Sequence, residues 1–345
     1  MISSTEQFVP PDSQLTAGLM QMITGKWLTQ AIYVAAHLNI ADHLKARPLS
    51  ITELAEQVGV AGLPLYRLLR ALASVGIFLE NEQAQFDLTP LSALLISDNP
   101  ASLRDMALMM GMNSTWQAWG ELLYSVQTGQ PAFEKVHGSP NFVYFAQNPQ
   151  EAEIFNRAML NLSNGESRAI VASYNFDGVT KLVDVGGGYG TLLAAILKAN
   201  PGMSGLLFEL PHAIEGAKQF LAAQNVLARC EILTGDFNEA IPSGGDAYLL
   251  KNIIHGCNDE QAVAVLQKCR EAMPASGKLL IVENVVPAGN MPHFAKFLDL
   301  EMLVNAGGRE RTAEEYRQLF EAANFNLTSV VPTFAPVSVL EGVPA

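Results

Sequence analysis

The sequence predicts an α/β chain: a mostly parallel sheet with helices on both faces, preceded by an all-helical segment that includes a winged helix. Three observations carry this. From about residue 178 onward, short β-type runs alternate with helical stretches, the pattern of parallel strands joined by crossover helices. The first of those runs stops at four glycines within five residues (Gly186, Gly187, Gly188 and Gly190), and a helix-forming stretch follows directly. Before residue 178 the apolar residues instead recur at three- and four-residue spacing, the period of a helix.

Taken in order, residues 14–46 read as helical, with Leu15, Leu19, Met22, Ile23, Trp27, Ala31, Val34 and Leu38 at helical spacing. Apolar residues on more than one face suit either a core helix or a helix packed on a second subunit. Ser50 with Glu53 three residues on is a capping box. A turn at Gly59 to Pro64 leads to a second helix over Leu65–Ser74, and Ile77–Glu80 with Gln85–Thr89 reads as a hairpin. Helix, turn, helix, hairpin is a winged helix, so a DNA-binding regulator is the competing function. Charge argues against it: residues 48–95 hold two basic residues and five acidic ones, and phosphate neutralisation supplies most non-specific DNA affinity.

Residues 101–165 look all-helical and dense in methionine and aromatics, among them Met106, Met109, Trp116, Trp119, Phe142, Phe155 and Met159. Such density is either ordinary core or a lid over a flat apolar substrate. Strands are expected at 181–186, 204–209, 230–234, 246–251 and 278–284. Helices are expected at 190–199, 212–223, 258–273, 293–304 and 312–323, and a terminal antiparallel hairpin at 327–331 and 337–340. The expected division is 1–100, a helical winged-helix domain; 101–177, a helical linker and lid; and 178–345, a cofactor-binding catalytic domain.

Composition excludes several function classes. The 345 residues are 49% hydrophobic and 16% charged, with a formal net charge of −13 from 21 basic and 34 acidic residues. That balance disfavours nucleic acid and anionic membrane. The polar start, Met1 to Asp12, lacks the basic-then-apolar pattern of a signal peptide, and no apolar run reaches membrane-spanning length. Cys230, Cys257 and Cys269 lack C-x-x-C spacing and suggest neither a metal site nor a disulfide framework. A cytoplasmic protein is expected.

The glycine turn identifies the cofactor class. Its spacing, Gly186-x-Gly188-x-Gly190, is not the G-x-G-x-x-G that accommodates a dinucleotide pyrophosphate, which disfavours NAD; a plain tight turn is the bland alternative. The preceding Asp184 suits a cationic ligand better than a phosphate, which points to S-adenosylmethionine. Glu209 stands at the end of the next strand, about twenty residues on, where such folds place a ribose ligand. Asp236 and Phe237 end a third strand, with a carboxylate for the adenine amino group and a ring to pack on it.

Ligands and reacting groups gather at the carboxyl ends of such strands. The fourth strand carries His255 there, a side chain able to take a proton from a substrate hydroxyl. Glu283 ends the adjacent strand, and Glu310 in Gly307-Gly-Arg-Glu-Arg-Thr312 is a second candidate carboxylate. Either could fix the imidazole tautomer and steady the imidazolium.

The motif set in order is Asp184-Val-Gly-Gly-Gly-Tyr-Gly190, Phe208-Glu-Leu-Pro211, Gly235-Asp-Phe237, Leu250-Lys-Asn-Ile-Ile-His255, Gly277-Lys-Leu-Leu-Ile-Val-Glu283 and Gly307-Gly-Arg-Glu-Arg-Thr312. It resembles the caffeic acid/hydroxyindole-type (acetylserotonin) O-methyltransferases over nearly the whole chain. The resemblance implies a Rossmann-like S-adenosylmethionine methyltransferase sheet and a winged-helix domain that serves homodimerisation. It implies His255 as general base flanked by Glu283 and Glu310, and Gly186, Glu209, Asp236, Phe237 and Lys251 around S-adenosylmethionine, with Ser163 reaching its carboxylate end. Phe155, Met159 and Asn305 correspond to acceptor-pocket positions. The activity implied is transfer of a methyl group to a hydroxyl of a small aromatic or conjugated acceptor by in-line displacement, with no metal required. One departure is that this chain has His255-Gly256-Cys257 where the family usually has His-Asp-Trp. A cofactor-binding relative with hydroxylase or decarboxylase chemistry is the alternative.

Overall fold

The computed structural model describes residues 13–345; the polar start expected at Met1–Asp12 lies outside the described residues. Contacts divide the chain into two units, one ending at Asn113 and the other Ser114–Ala345.

In the first unit the helical pattern expected over 14–46 is three helices, Ser13–Ile23, Gly25–His37 and Ile40–Leu44. The second break falls at Asn39, which takes a left-handed φ of 52°; asparagine tolerates that region better than other non-glycine residues. Ser50 and Glu53 form the expected capping box on helix Ile51–Val58, and helix Gly62–Ser74 follows. Strands β1 (Leu49–Ser50), β2 (Phe78–Glu80) and β3 (Gln85–Leu88) form an antiparallel sheet in the order β1-β3-β2. Ile40, Leu54, Leu69, Leu72, Phe78 and Phe86 make its core. Helix Arg104–Gly111 belongs to this unit for a steric reason: a Cβ at Gly111 would sit 2.3 Å from the Tyr33 side chain. The segment expected as a linker and lid over 101–177 is thus shared between the two units. On the first two helices Leu15, Leu19, Met22, Ile23 and Trp27 are exposed, Trp27 at 67%.

The second unit holds helices Leu122–Thr128, Ala132–His137, Asn141–Gln147 and Pro149–Ser173, the last running past the helical region expected to end near 165. Then come β4 (Lys181–Val185), β5 (Ser204–Glu209), β6 (Cys230–Thr234), β7 (Ala247–Lys251), β8 (Lys278–Glu283), β9 (Phe325–Pro332) and β10 (Ser338–Pro344). The sheet order is β6-β5-β4-β7-β8-β10-β9. Strands β4 to β8 pair in parallel; β10 runs antiparallel to both β8 and β9, so β9 is the edge of the terminal hairpin. Alternate residues feed two cores, Val183 and Val185 on one face and Leu182 on the other, as a sheet buried on both sides requires. The strand order reverses direction at β4, whose neighbours are β5 and β7. A crevice therefore opens beyond the carboxyl end of β4, where the glycine turn lies.

Candidate active site

The glycine turn is shaped by what lies around it. Gly186, Gly188 and Gly190 all have positive φ, and the space where a Gly188 Cβ would stand is open for 4 Å. At Gly187, by contrast, a Cβ would stand 2.2 Å from Asp184 Oδ2. Asp184 is therefore beneath the turn and does not line it, contrary to the expectation that it faces a cationic ligand. Burial and the charge of Glu209 push its pKa up to about 7, and its Oδ2 has no hydrogen-bond partner. Glu209 accepts N–H bonds from Gly188 (2.8 Å) and Leu210 (2.7 Å), which ties the end of β5 to the glycine turn. Beyond β6, Asp236 Oδ1 accepts from the Asn238 N–H at 2.7 Å, and Phe237 packs towards Gly186.

Lys251, the last residue of β7, pairs with Glu166 at 2.7 Å and reaches the Ser163 hydroxyl at 3.4 Å. Ser163 lies on helix Pro149–Ser173 at four-residue intervals from Met159 and Phe155, so the three share one helix face. Phe155 stacks on Phe145 with centroids 5.0 Å apart, and Met159 is half-buried between the two ends of this stripe. The expected acceptor and cofactor residues of this helix are thus neighbours along one face. Glu166 escaped sequence reasoning, although its place three residues after Ser163 was a usable signal.

After Lys251 the chain turns sharply at Asn252, with φ 55°. The turn aims three successive N–H groups, of Ile253, Ile254 and His255, at Glu283 Oε1, at 3.0, 2.9 and 3.2 Å. Glu283 is fully buried; burial lifts its pKa to about 6 against the pull of His255 and these N–H groups. His255 Nδ1 lies 2.8 Å from Glu310 Oε1 and 3.5 Å from Glu283 Oε2. Carboxylates only accept, so Nδ1 carries the proton and Nε2 is the nitrogen left for another partner. Burial favours the neutral ring, but Glu283 and then Glu310 override it and raise the His255 pKa to about 9. The three groups offer ligand atoms within 4.8 Å of one another.

Two residues that the sequence reading did not assign hold this arrangement. Arg311 is fully buried and donates to the carbonyls of Ile254 (2.9 Å) and Cys257 (2.7 Å) and to Asp259 Oδ1 (3.0 and 2.8 Å). It fastens both ends of the short turn that carries His255. On the same segment a Cβ at Gly308 would stand 2.0 Å from the His255 carbonyl, so only glycine lets the segment carrying Glu310 approach. Asn305, the last residue of helix Phe294–Asn305, donates its Nδ2 to Glu301 Oε1 at 2.6 Å.

A carboxylate-tied glycine turn at the switch point of a parallel sheet, beside a His–Glu–Glu cluster, defines a nucleotide-cofactor-binding α/β transferase. The residues present fit S-adenosylmethionine: the open space at Gly188 admits a ligand to the turn, and Glu209 offers its carboxylate where a ribose is bound. The comparisons narrow this. A model of the O-methyltransferase domain matches residues 119–326, and one of the O-methyltransferase dimerisation domain matches residues 20–98. The chain is 44% identical over 330 residues to the phenazine O-methyltransferase PhzM of Lysobacter antibioticus, covering 96% of each. It is 38% identical over 320 residues to the 3-amino-4-hydroxybenzoate 4-O-methyltransferase of Streptomyces cremeus, covering 91% and 87%. The crystal structure of CalO1, a methyltransferase in calicheamicin biosynthesis, in its SAH-bound form, superposes with a TM-score of 0.87 at 33% identity over 97% and 99% of the two chains. The chain belongs to the S-adenosylmethionine-dependent O-methyltransferase family.

Proposed function

We propose that the enzyme methylates a hydroxyl of a small aromatic or conjugated acceptor, with His255 as general base. The observation that carries this is the pairing of His255 Nδ1 with Glu310 at 2.8 Å, backed by Glu283, which reserves Nε2 for the acceptor proton. S-adenosylmethionine supplies an activated sulfonium methyl group when bound. Gly186, Gly188, Glu209, Asp236, Phe237, Lys251 and Ser163 hold it, and Phe155, Met159 and Asn305 face the acceptor. A base with a pKa near 9 is well matched to a phenolic hydroxyl near 10, because proton transfer between them is close to thermoneutral. Positioning of the acceptor oxygen supplies much of the remaining acceleration. The aromatic acceptors named for the relatives, a phenazine and an aminohydroxybenzoate, fit the apolar face of Phe155 and Met159. The exposed apolar residues of the first two helices are covered by a second copy of the chain, as the dimerisation-domain match supports.

The test is a panel of hydroxylated naphthalenes, benzoates and phenazines incubated with methyl-labelled cofactor, with products analysed by mass. A gain of one methyl on oxygen, insensitive to chelator, is expected. Hydroxylation or loss of carbon dioxide instead would establish the alternative chemistry, and chelator-sensitive turnover would reassign the His–Glu–Glu cluster to a metal.

A further inference from the structure

A polar chain outside the His255 cluster runs from Trp119 through Glu301 to Asn305. Glu301 and Asn305 lie one turn apart on helix Phe294–Asn305. The Trp119 indole N–H donates to Glu301 Oε2, and Asn305 Nδ2 donates to Glu301 Oε1 at 2.6 Å. An indole nitrogen only donates and a carboxylate only accepts, so the order of the chain is fixed: Trp119 gives, Glu301 receives from both sides. Asn305 then has no choice of amide orientation. Its NH₂ must face Glu301 and its Oδ1 must face away, and that oxygen is shielded from solvent yet accepts no hydrogen bond. A buried carbonyl oxygen left without a donor is costly, which marks it as a place for a ligand donor.

Its surroundings say which ligand. Val304, beside Asn305, packs in one cluster with Phe133. Phe133 packs towards Phe145 (centroids 6.2 Å) and Phe145 stacks on Phe155 (5.0 Å). Trp119, which donates to Glu301, packs on the same cluster, so the Trp119–Glu301–Asn305 chain adjoins one end of an aromatic row whose other end is Phe155. Three residues after Asn305, Gly308 lies against the His255 carbonyl.

We infer that Glu301 is a positioning residue that locks Asn305 as a hydrogen-bond acceptor, so that the enzyme selects aromatic acceptors bearing a second donor (hydroxyl, amine or ring N–H) besides the hydroxyl that is methylated. This rests on the reading of Asn305 as facing the acceptor. It makes a prediction that a merely structural role does not. In Glu301→Gln the new amide must offer its oxygen to Trp119, so its NH₂ faces Asn305. Asn305 then has to turn over, presenting its NH₂ to the acceptor, and the preferred polarity of the second group reverses.

The experiment measures dissociation constants for enzyme loaded with S-adenosylhomocysteine. The probes are the dihydroxynaphthalene isomers, each paired with the hydroxynaphthaldehyde of the same substitution, whose second group only accepts. For at least one isomer the wild-type protein is expected to favour the diol by about tenfold, the worth of one buried hydrogen bond and its unsatisfied alternative. Glu301→Gln is expected to favour the aldehyde of that same isomer. Asn305→Leu, a variant independent of how Glu301→Gln folds, is expected to abolish the preference. No preference in the wild type, an equal loss for both members of the pair in Glu301→Gln, or a preference that survives in Asn305→Leu would each overturn the inference. Failure of a bound diol to become methylated when S-adenosylmethionine replaces S-adenosylhomocysteine would count instead against the general-base reading, leaving this selection intact.

Discussion

Replacing Glu310 by Gln tests whether the cluster around His255 tunes a base or only supports a loop. Glu310 Oε1 sits 2.8 Å from Nδ1. Two unit charges about 4 Å apart interact by about 4 kcal/mol at an effective dielectric of about 20. Part of that is offset because the amide oxygen still accepts the Nδ1 hydrogen bond, and Glu283 remains at 3.5 Å. A fall of about 1–2 units in the His255 pKa is expected, the range for loss of one nearby opposite charge. In the wild type, turnover on a weakly acidic hydroxyl should rise with pH through about 9, where the imidazolium loses its extra proton. In Glu310→Gln that rise should move to about pH 7–8. The alkaline plateau should fall by about tenfold or more, because a weaker base abstracts the proton less readily. The deficit is therefore largest near pH 10 and shrinks towards pH 7, where more of the variant's imidazole is neutral. Stability runs the other way. The folded pKa is raised above the ordinary 6.5, so the contribution of His255 to stability is complete below pH 6.5 and is lost as pH climbs through about 9. Stopped assays from pH 6 to 10, with melting curves at each pH, measure both. A plateau that drops while the midpoint stays fixed would refute the tuning argument and leave Glu310 as scaffold.

Removing the proposed base, His255→Ala, should lower turnover by about 10²–10⁴-fold with S-adenosylhomocysteine affinity nearly unchanged, since His255 bonds to Glu283 and Glu310 and to none of the glycine turn; near-normal turnover on an un-ionised hydroxyl contradicts the assignment. Glu209→Ala should weaken S-adenosylhomocysteine binding by about 1–3 kcal/mol, as read by calorimetry, and an unchanged affinity would remove Glu209 from the cofactor site. Arg311→Met leaves the Cys257 carbonyl without its side-chain donor and removes one of the two donors to the Ile254 carbonyl, and should destabilise the fold by about 2–5 kcal/mol; a wild-type melting temperature would show that the His255 turn does not depend on it. Charging the exposed apolar helix face by Trp27→Glu should convert a dimer to monomer in light scattering, and an intact dimer would place the interface elsewhere.

The strand and helix pattern of the second unit was legible because each element carries its own local signal. The run Leu182–Val185 is β-type and mostly apolar, and the glycines terminate it; the caps at Asn258 and Thr312 were found only in the structure. The motif order likewise located His255, Glu283 and Glu310 at one edge, because parallel strands bring their carboxyl ends together whatever the side chains do. Boundaries were less legible. The break at Asn39 and the membership of helix Arg104–Gly111 depend on one left-handed residue and on the close approach of Gly111 to Tyr33, neither of which shows in hydrophobic periodicity.

By itself, then, the sequence determined the fold, the cofactor class and which histidine reaches the carboxyl edge of the sheet, since those follow from local propensity and from strand order. Tertiary structure decided what those groups are able to do. Asp184 reads as a cation ligand from its place before the glycines, yet it lies beneath them because Gly187 has no side chain to hold it off. The pKa of His255 near 9 arises because Glu283, 28 residues away, comes to 3.5 Å and Glu310, 55 residues away, is brought to 2.8 Å past a glycine that a Cβ would block. Trp119 and Glu301 are 182 residues apart, and no spacing in a linear chain announces their bond. Electrostatic and hydrogen-bond energies depend on distances of a few ångströms between groups remote in sequence, and packing alone sets those distances.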